Sequence, residues 1–411
     1  MKKLARIVCV VLLAVLLATL PGMLGCGQKE AGVPEVTYGF LWDFTGRAAQ
    51  GVKEFYNGMM DYLRKTEEED PIVGAKLKVV TFDSKSDTSR IPTGYLWLKG
   101  KGATMMTAAP QDTELLRSRF EADQIPFFCG SEMISLRDSE WAFFIYSPVE
   151  HQTEMLMHWV MDTWDYSKGQ PKIGFVTLAG VPFYKAQLDM AQAIYQANPG
   201  KFASFKVEQA PSTTTIWAIE ASRLMDSDFI IPAMSGPPLA AFTKEARSRG
   251  YKNKLIAPFE SYWSYWNLVK GAVPADMLDG IVSSSYMPLW DDDVPFISEV
   301  RQYTLEYRPN EAEALFQTSG EITGWATGMI LVDVARRAVE KAQGGEIDGP
   351  ILRDVLEETD MTVAGFGNPW KVNLAENINS FVQTIKLCQY RATEDKWVTI
   401  ADWKRPPTLG G

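Results

Sequence analysis

The residues best equipped to contact a small molecule form four short polar loops, each directly behind an apolar run. They are Asp43-Phe44-Thr45-Gly46, the segment from Thr107 through Ala109, Pro110 and Gln111 to Thr113, Gly130-Ser131-Glu132, and Met234-Ser235-Gly236. Small side chains leave backbone N–H groups accessible, and such groups bind carboxylates where a helix begins. The stretch Glu260-Ser261-Tyr262-Trp263-Ser264-Tyr265-Trp266 adds hydroxyls and aromatic faces suited to apolar or cationic groups, and in Glu260 a partner for an amine. Each pattern also has a purely structural reading: ordinary turns for the loops, packing of a helix face for the aromatic run.

Catalytic constellations are missing by comparison. The chain has two histidines, His151 and His158, on one helical face but two turns apart, with no cysteine or carboxylate pair to complete a zinc set. His158 beside Trp159 reads as a packing residue. Neither a Gly-x-Ser-x-Gly elbow nor a Gly-x-x-x-x-Gly-Lys-Ser/Thr loop occurs. Gly365 and Gly367 read as a turn. The acidic runs Glu67 to Asp70 and Asp291 to Asp293 lie beside prolines in loop-like sequence and read as solvated charge. A glycosidase needs two carboxylates across a cleft, and spacing along the chain does not decide that. No cofactor or metal is therefore expected, and an enzyme remains the least supported class.

The elements that would position the loops alternate strand and helix. Apolar runs at 36–42, 77–82, 103–108, 126–129 and 141–146 read as strands, separated by helical patterns at 51–65, 93–99 and 113–122. The 51–65 helix carries Phe55, Met59 and Leu63 on one face. A second series follows: helices at 150–164, 184–197, 217–225 and 239–249, and strands at 172–177, 204–207, 228–232, 255–257 and 281–285. Helices at 294–307 and 324–342 come next, then a hairpin pattern, 380–390 and 396–400, turning at 392–395. Such alternation predicts an α/β fold of two doubly wound parallel sheets, each covered on both faces.

Bulk properties agree with a globular, exported chain. Of 411 residues, 46% are hydrophobic and 12% aromatic, and the net charge is −10. An acidic chain without a basic block argues against nucleic acid or an anionic membrane surface as partner. At the N-terminus, Lys2, Lys3 and Arg6 flank an unbroken apolar run, Ile7 to Leu20. Its fourteen residues make a helix of roughly 21 Å, short of a ~30 Å hydrocarbon core. Pro21-Gly22 and Met23-Leu24-Gly25-Cys26 follow, the layout of a secretory signal. Small residues before Cys26 resemble the lipobox of bacterial lipoproteins, in which the cysteine is acylated and becomes the new N-terminus. Ordinary signal cleavage and an uncleaved anchor are the other readings. Residues 27–35 suit a flexible tether. Of the remaining cysteines, Cys129 and Cys388 are either bridged, as an oxidising compartment permits, or buried thiols.

The ordered set of motifs resembles the leucine/isoleucine/valine-type periplasmic substrate-binding proteins, receptors of ABC importers, over about 36–403. Tyr38-Gly39-Phe40-Leu41 with Thr45-Gly46 matches the opening strand and turn. Gly58, Gly74 to Val80 and Asp83 match the next helix and strand, Ile125 to Phe128 the strand before the second ligand loop, and Ala364 to Gly367 the last hinge turn. The resemblance implies two lobes joined by three crossings, with residues 1–25 a signal and 26–35 the lipidated tether. Lobe 1 is then 36–148 with 286–365, lobe 2 is 149–285 with 366–403, and 404–411 is a tail. It also implies that Ala109, Pro110 and Gln111 with Ser131 and Met133 hold a ligand carboxylate, and that a carboxylate near Glu260 holds an amine. Amino-acid receptors of this family often carry Ser-Thr or Ser-Ser where Ala109-Pro110 stands, and Thr in place of Met133. The tyrosine expected near Ser235 is absent, and the one near Phe183 is Phe183 or Tyr184. The implied cargo widens to an amide, an aromatic or other small carboxylate, or a hydrophobic amino acid, in a pocket of Trp42, Phe44, Phe183, Tyr262 and Trp263. The implied partner is an ABC permease, with membrane contact through the lipid on Cys26. A sensory module without transport is the alternative.

Overall fold

Parallel strands dominate both sheets of the computed structural model, which describes residues 33–129, 133–361 and 379–409. In the first sheet β1 (Glu35–Trp42), β2 (Lys76–Asp83), β3 (Met105–Ala108), β4 (Phe127–Cys129) and β5 (Ala142–Phe144) are ordered β2-β1-β3-β4-β5. Three crossover helices link the early strands: α1 (Ala49–Glu69), α2 (Ile91–Gly100) and α3 (Pro110–Asp123). Alternation along β1 explains why both faces are buried. Val36, Tyr38 and Phe40 pack with Val52 and Met59 of α1. Leu41 turns to the other face, against Ile91, Tyr95 and Leu98 of α2 and Leu116 and Phe120 of α3.

The second sheet follows the same logic with an added edge. It contains β6 (Lys172–Leu178), β7 (Ser204–Ala210), β8 (Phe229–Ala233), β9 (Lys254–Ala257) and β10 (Val282–Ser285). These five are parallel, in the order β10-β9-β8-β6-β7. The hairpin of β11 (Ile385–Arg391) and β12 (Lys396–Lys404) extends β10 in antiparallel register. Its helices are α4 (Val149–Thr163), α5 (Pro182–Ala197), α6 (Ala218–Leu224), α7 (Pro237–Ser248), α8 (Ser261–Ser264) and α9 (Trp266–Ala272). Among the described residues, four helices lie between β10 and β11: α10 (Pro295–Tyr307), α11 (Ala312–Leu315), α12 (Gly320–Ala342) and α13 (Gly349–Glu357).

Helix α12 lies against α1, and glycine makes that possible. A Cβ on Gly324 would stand 1.9 Å from the carbonyl oxygen of Phe55, and one on Gly58 2.2 Å from that of Glu321. Backbone thus meets backbone along this seam. Ion pairing closes its side: Arg308 donates to Asp61 from Nε (2.5 Å) and Nη2 (2.9 Å). Beside them, Glu321 is fully buried, and burial followed by the charge of Asp61 raises its pKa well above the usual carboxylate range, with Arg308 opposing and Glu54 adding to the shift.

Among the described residues the chain passes between the two sheets three times. The first passage runs from β5 into α4, where Gln152 Nε2 donates to the Ser147 carbonyl (2.9 Å). The second leaves β10, whose Ser284 hydroxyl donates to Gln152 Oε1 (2.9 Å). In the third, Ser380 still bridges Phe144 at the first sheet before the chain enters β11. The expected turn at 364–367 and crossing near 365 lie outside the described residues, and the pairing of Ser380 puts the passage after 381.

Several elements differ from expectation for local physical reasons. Glu67 to Glu69 are the last turn of α1, not loop, because Arg64 and Lys65 pair with Glu68 and Glu69 at i,i+4 and the Tyr307 and Tyr303 hydroxyls donate to the same carboxylates. Asp292 is no solvated charge either: it pairs with Lys386, which is 2% exposed. The expected strand at 141–146 shortens to Ala142–Phe144. Helix α13, absent from the sequence reading, starts at an Asp348 cap that accepts from the Ile351 N–H (3.0 Å). Cys388 is a free, buried thiol whose pKa burial pushes up to about 12. Cys26 lies outside the described residues.

Two predictions follow from the α1–α12 seam. Gly324→Ala forces the helices apart and should lose about 1–3 kcal/mol in urea denaturation, whereas Gly100→Ala, with open space around it, should not destabilise. Glu321 stays protonated in the folded state at a pH where the unfolded chain has released its proton, near pH 4.3. Wild-type stability therefore falls, relative to Glu321→Gln, as pH rises above that value. Paired melts at pH 4 and pH 8 should show the variant gaining only at the higher pH.

Candidate functional site

The ends of the strands in both sheets face a shared cavity of ≈670 Å3. Its first wall begins with the period of β1, which puts Phe40 and Trp42 on one face. Trp42 stacks on Phe40 (5.9 Å between centroids) and on Phe55 of α1 (6.0 Å), and its Nε1 donates to the Thr107 hydroxyl (3.1 Å). Behind it Asp43 holds the turn into α1 by accepting from the N–H groups of Gly46 and Ala48 and from the Ser86 hydroxyl. Ala109 caps α3 and lines the cavity, as does Asp112 one residue after Gln111.

The second wall comes from helix starts behind β6, β8 and β9. Phe183 and Tyr184 open α5, and Phe183 meets Phe259 edge-on at 5.4 Å. Tyr184 shares a hydrogen bond with Ser235 (2.8 Å). Burial raises the Tyr184 pKa, so this hydroxyl stays neutral. Glu260 accepts from the Ser264 hydroxyl (3.3 Å) and the Tyr286 hydroxyl (2.6 Å).

The chain passages supply the floor. Tyr146, past β5, and Tyr286, past β10, stack at 4.4 Å with planes 20° apart. Burial, then the Glu260 charge, raises both hydroxyls well above the tyrosine range. Ser319, Gly320 and Thr323 at the start of α12 complete the lining. Contacts bridge the two walls: Arg47 Nη1 donates to the Ser212 carbonyl (3.4 Å), and the Ser264 and Ser319 hydroxyls lie 2.8 Å apart.

Of the residues expected in a pocket, Trp42, Ala109, Phe183, Tyr184, Ser235 and Glu260 meet here. Four face elsewhere. Phe44 packs into the core on Phe40 (5.6 Å) and Tyr56 (5.3 Å). Met133 sits behind the second wall in an apolar cluster with Val149, Phe183 and Phe259. Tyr262 and Trp263 are buried in the core, the Tyr262 hydroxyl sharing a hydrogen bond with Thr243 (2.8 Å). Helical rotation explains the split: i,i+4 spacing puts Glu260 and Ser264 on the cavity side, and the two intervening aromatics point away. Pro110 and Gln111 form the first turn of α3, with side chains outside the described set, and Ser131 lies outside it entirely.

Sequence reading missed Arg47, Asp112, Tyr146, Tyr265 and Tyr286. Asp112 was part of the polar loop but not singled out. Tyr286 directly follows β10, a position shared with the selected loops, and that was the available signal; Tyr146 was hidden in the expected strand 141–146, which ends at Phe144. His151 is buried away from the cavity, its pKa lowered to about 3 by burial and by Arg137. Among the described residues no group of three or more His, Cys, Asp or Glu could hold a metal ion.

Comparison with known proteins places this geometry. A family model described as periplasmic binding protein matches residues 35–395. Among solved structures, a branched-chain amino acid ABC transporter protein from Thermus thermophilus with bound valine superposes at TM-score 0.77, with 14% identity over 91% of this chain and 97% of the other. A fatty acid ABC transporter substrate-binding protein from Thermomonospora curvata also gives 0.77, at 15% identity, covering 92% and 94%. A solute-binding protein from R. palustris in complex with 4-hydroxybenzoate gives 0.73, at 15% identity, covering 92% and 99%. No curated protein matches in sequence.

The orientation of the aromatic run generates a prediction. Tyr262→Phe removes a buried hydrogen bond and should cost about 1–2 kcal/mol of stability, read by chemical denaturation. Trp42→Ala should instead change the fluorescence response to any bound compound.

Proposed function

The chain belongs to the periplasmic binding protein family, and we propose that it is an extracytoplasmic solute receptor that captures a small molecule between two lobes and delivers it to an ABC permease. The observation that carries this reading is the origin of the cavity walls. Trp42, Arg47, Asp112 and Ser319 come from the first sheet and its helices, and Phe183, Tyr184, Ser235 and Glu260 from the second. A ligand touching both walls stabilises the closed arrangement over an open one in proportion to its differential contacts. Lobe 1 then comprises 36–148 with 286–361 and 379–381, and lobe 2 comprises 149–285 with 382–403, hinged at the three passages.

Export through residues 1–25 and acylation of Cys26 belong to the same reading, since a tethered clamp reaches a membrane-embedded permease. The members similar in fold bind valine and 4-hydroxybenzoate, which makes amino acids, amides and aromatic acids the starting set of compounds.

Thermal-shift screening of that set tests the proposal. A ligand at 100 times its Kd should add about 2.7 kcal/mol, and Glu260→Ala should weaken any ligand that carries an amine. Chemical conversion of a stabilising compound, or silence across the whole set, would overturn the receptor reading.

A further inference from the structure

The charged groups on the cavity wall are unbalanced. Among the described lining residues the acids are Asp43, Asp112, Glu114 and Glu260, and the one base is Arg47. Arg47 is directed across the cleft to the Ser212 carbonyl. Three of the acids are also engaged. Asp43 caps the turn before α1, Glu114 accepts from the Ser135 hydroxyl (3.2 Å), and Glu260 accepts from Ser264 and Tyr286.

Asp112 is different. It is 3% exposed, it lines the cavity, and its carboxylate takes no hydrogen bond from any described residue. Burial without a partner, followed by the charge of Asp43, pushes its pKa up to about 7. A buried carboxylate in that state lacks a compensating positive charge.

The start of α3 is also poorly built to receive an anion. Pro110 at its first position has no N–H. The N–H groups of Asp112 and Thr113 already donate to the Ala109 carbonyl, at 2.8 and 2.9 Å. The chain's own carboxylate occupies the turn where a ligand carboxylate would otherwise be favoured. The same cavity presents aromatic faces, Trp42, Phe55 and Tyr146 among them, which favour apolar groups and cations.

Resting on the receptor reading, we propose that the ligand is an organic cation whose amine or ammonium group pairs with Asp112 while its apolar body lies on the aromatic wall. The segment expected to hold a ligand carboxylate thereby works with the opposite polarity. Glu260 is a second carboxylate for a ligand with another donor, but the cation at Asp112 is the defining contact.

Three probes that share one ring and differ in charge test the assignment by calorimetry: phenethylamine, phenylacetamide and phenylacetate. Phenethylamine should bind the purified protein at least tenfold more tightly than either of the others. Asp112→Asn keeps the shape and removes the charge, so it should weaken phenethylamine at least tenfold while the unliganded melting temperature does not fall. Tighter binding of phenylacetamide or phenylacetate would overturn the cation assignment and leave the receptor reading standing. Unchanged phenethylamine affinity in Asp112→Asn would also overturn it, since a neutral group would then suffice. Silence of all three probes counts against the cation assignment, while the wider screen continues to decide the receptor reading. The ranking on the unsubstituted protein decides even if the variant fails to fold.

Discussion

Close backbone contact between α1 and α12 is the constraint on which the rest of the architecture depends. The two helices are far apart in sequence, and α12 is reached only after the chain has built five strands of the second sheet. Gly58 and Gly324 let it return and seat against α1 with backbone touching backbone at both positions. Since α12 must return and β11 must join β10, the chain has to pass between the sheets repeatedly. Those passages bring Tyr146 and Tyr286 together, and the start of α12 brings Ser319 and Thr323 to the same cavity.

The cavity thus combines two kinds of wall. Strand ends and helix starts supply the sides, as the α/β architecture requires, while the passages supply a floor whose residues follow short strands. A small molecule bound there would contact both sheets and the connections between them. Contact of that kind is what couples occupancy to closure, because the bound state is favoured only through interactions that the open state lacks. Electrostatics then separates possible cargoes: an uncompensated carboxylate at the start of α3 repels an anion and attracts a cation, whatever the shape of the remainder.

Particular residues show how far sequence reading reached. Trp42 and Glu260 were legible because one ends the apolar strand β1 and the other lies three residues past β9, and in an α/β fold such positions gather at one edge. Tyr262 and Trp263 share that neighbourhood yet face the core, because a single helical turn sends adjacent side chains in different directions. Phe44 continues the alternation of β1 past the strand end, where the turn held by Asp43 redirects it onto Phe40 and Tyr56. Asp112 stood in one of the polar loops without distinction, since its isolation depends on which groups from distant segments fail to reach it.

Local order was therefore what the sequence determined by itself: alternating strands and helices, the doubly wound sheets, the C-terminal hairpin and the loops that could bear a site. Periodicity and turn chemistry are properties of neighbouring residues, so they survive without a tertiary context. Tertiary structure alone decided which side chains share a cavity, that Glu321 faces Asp61 and Arg308, and that Asp112 is buried beside Asp43 without a positive partner. Burial and charge pairing depend on residues brought together from remote parts of the chain, and no local pattern encodes their distance.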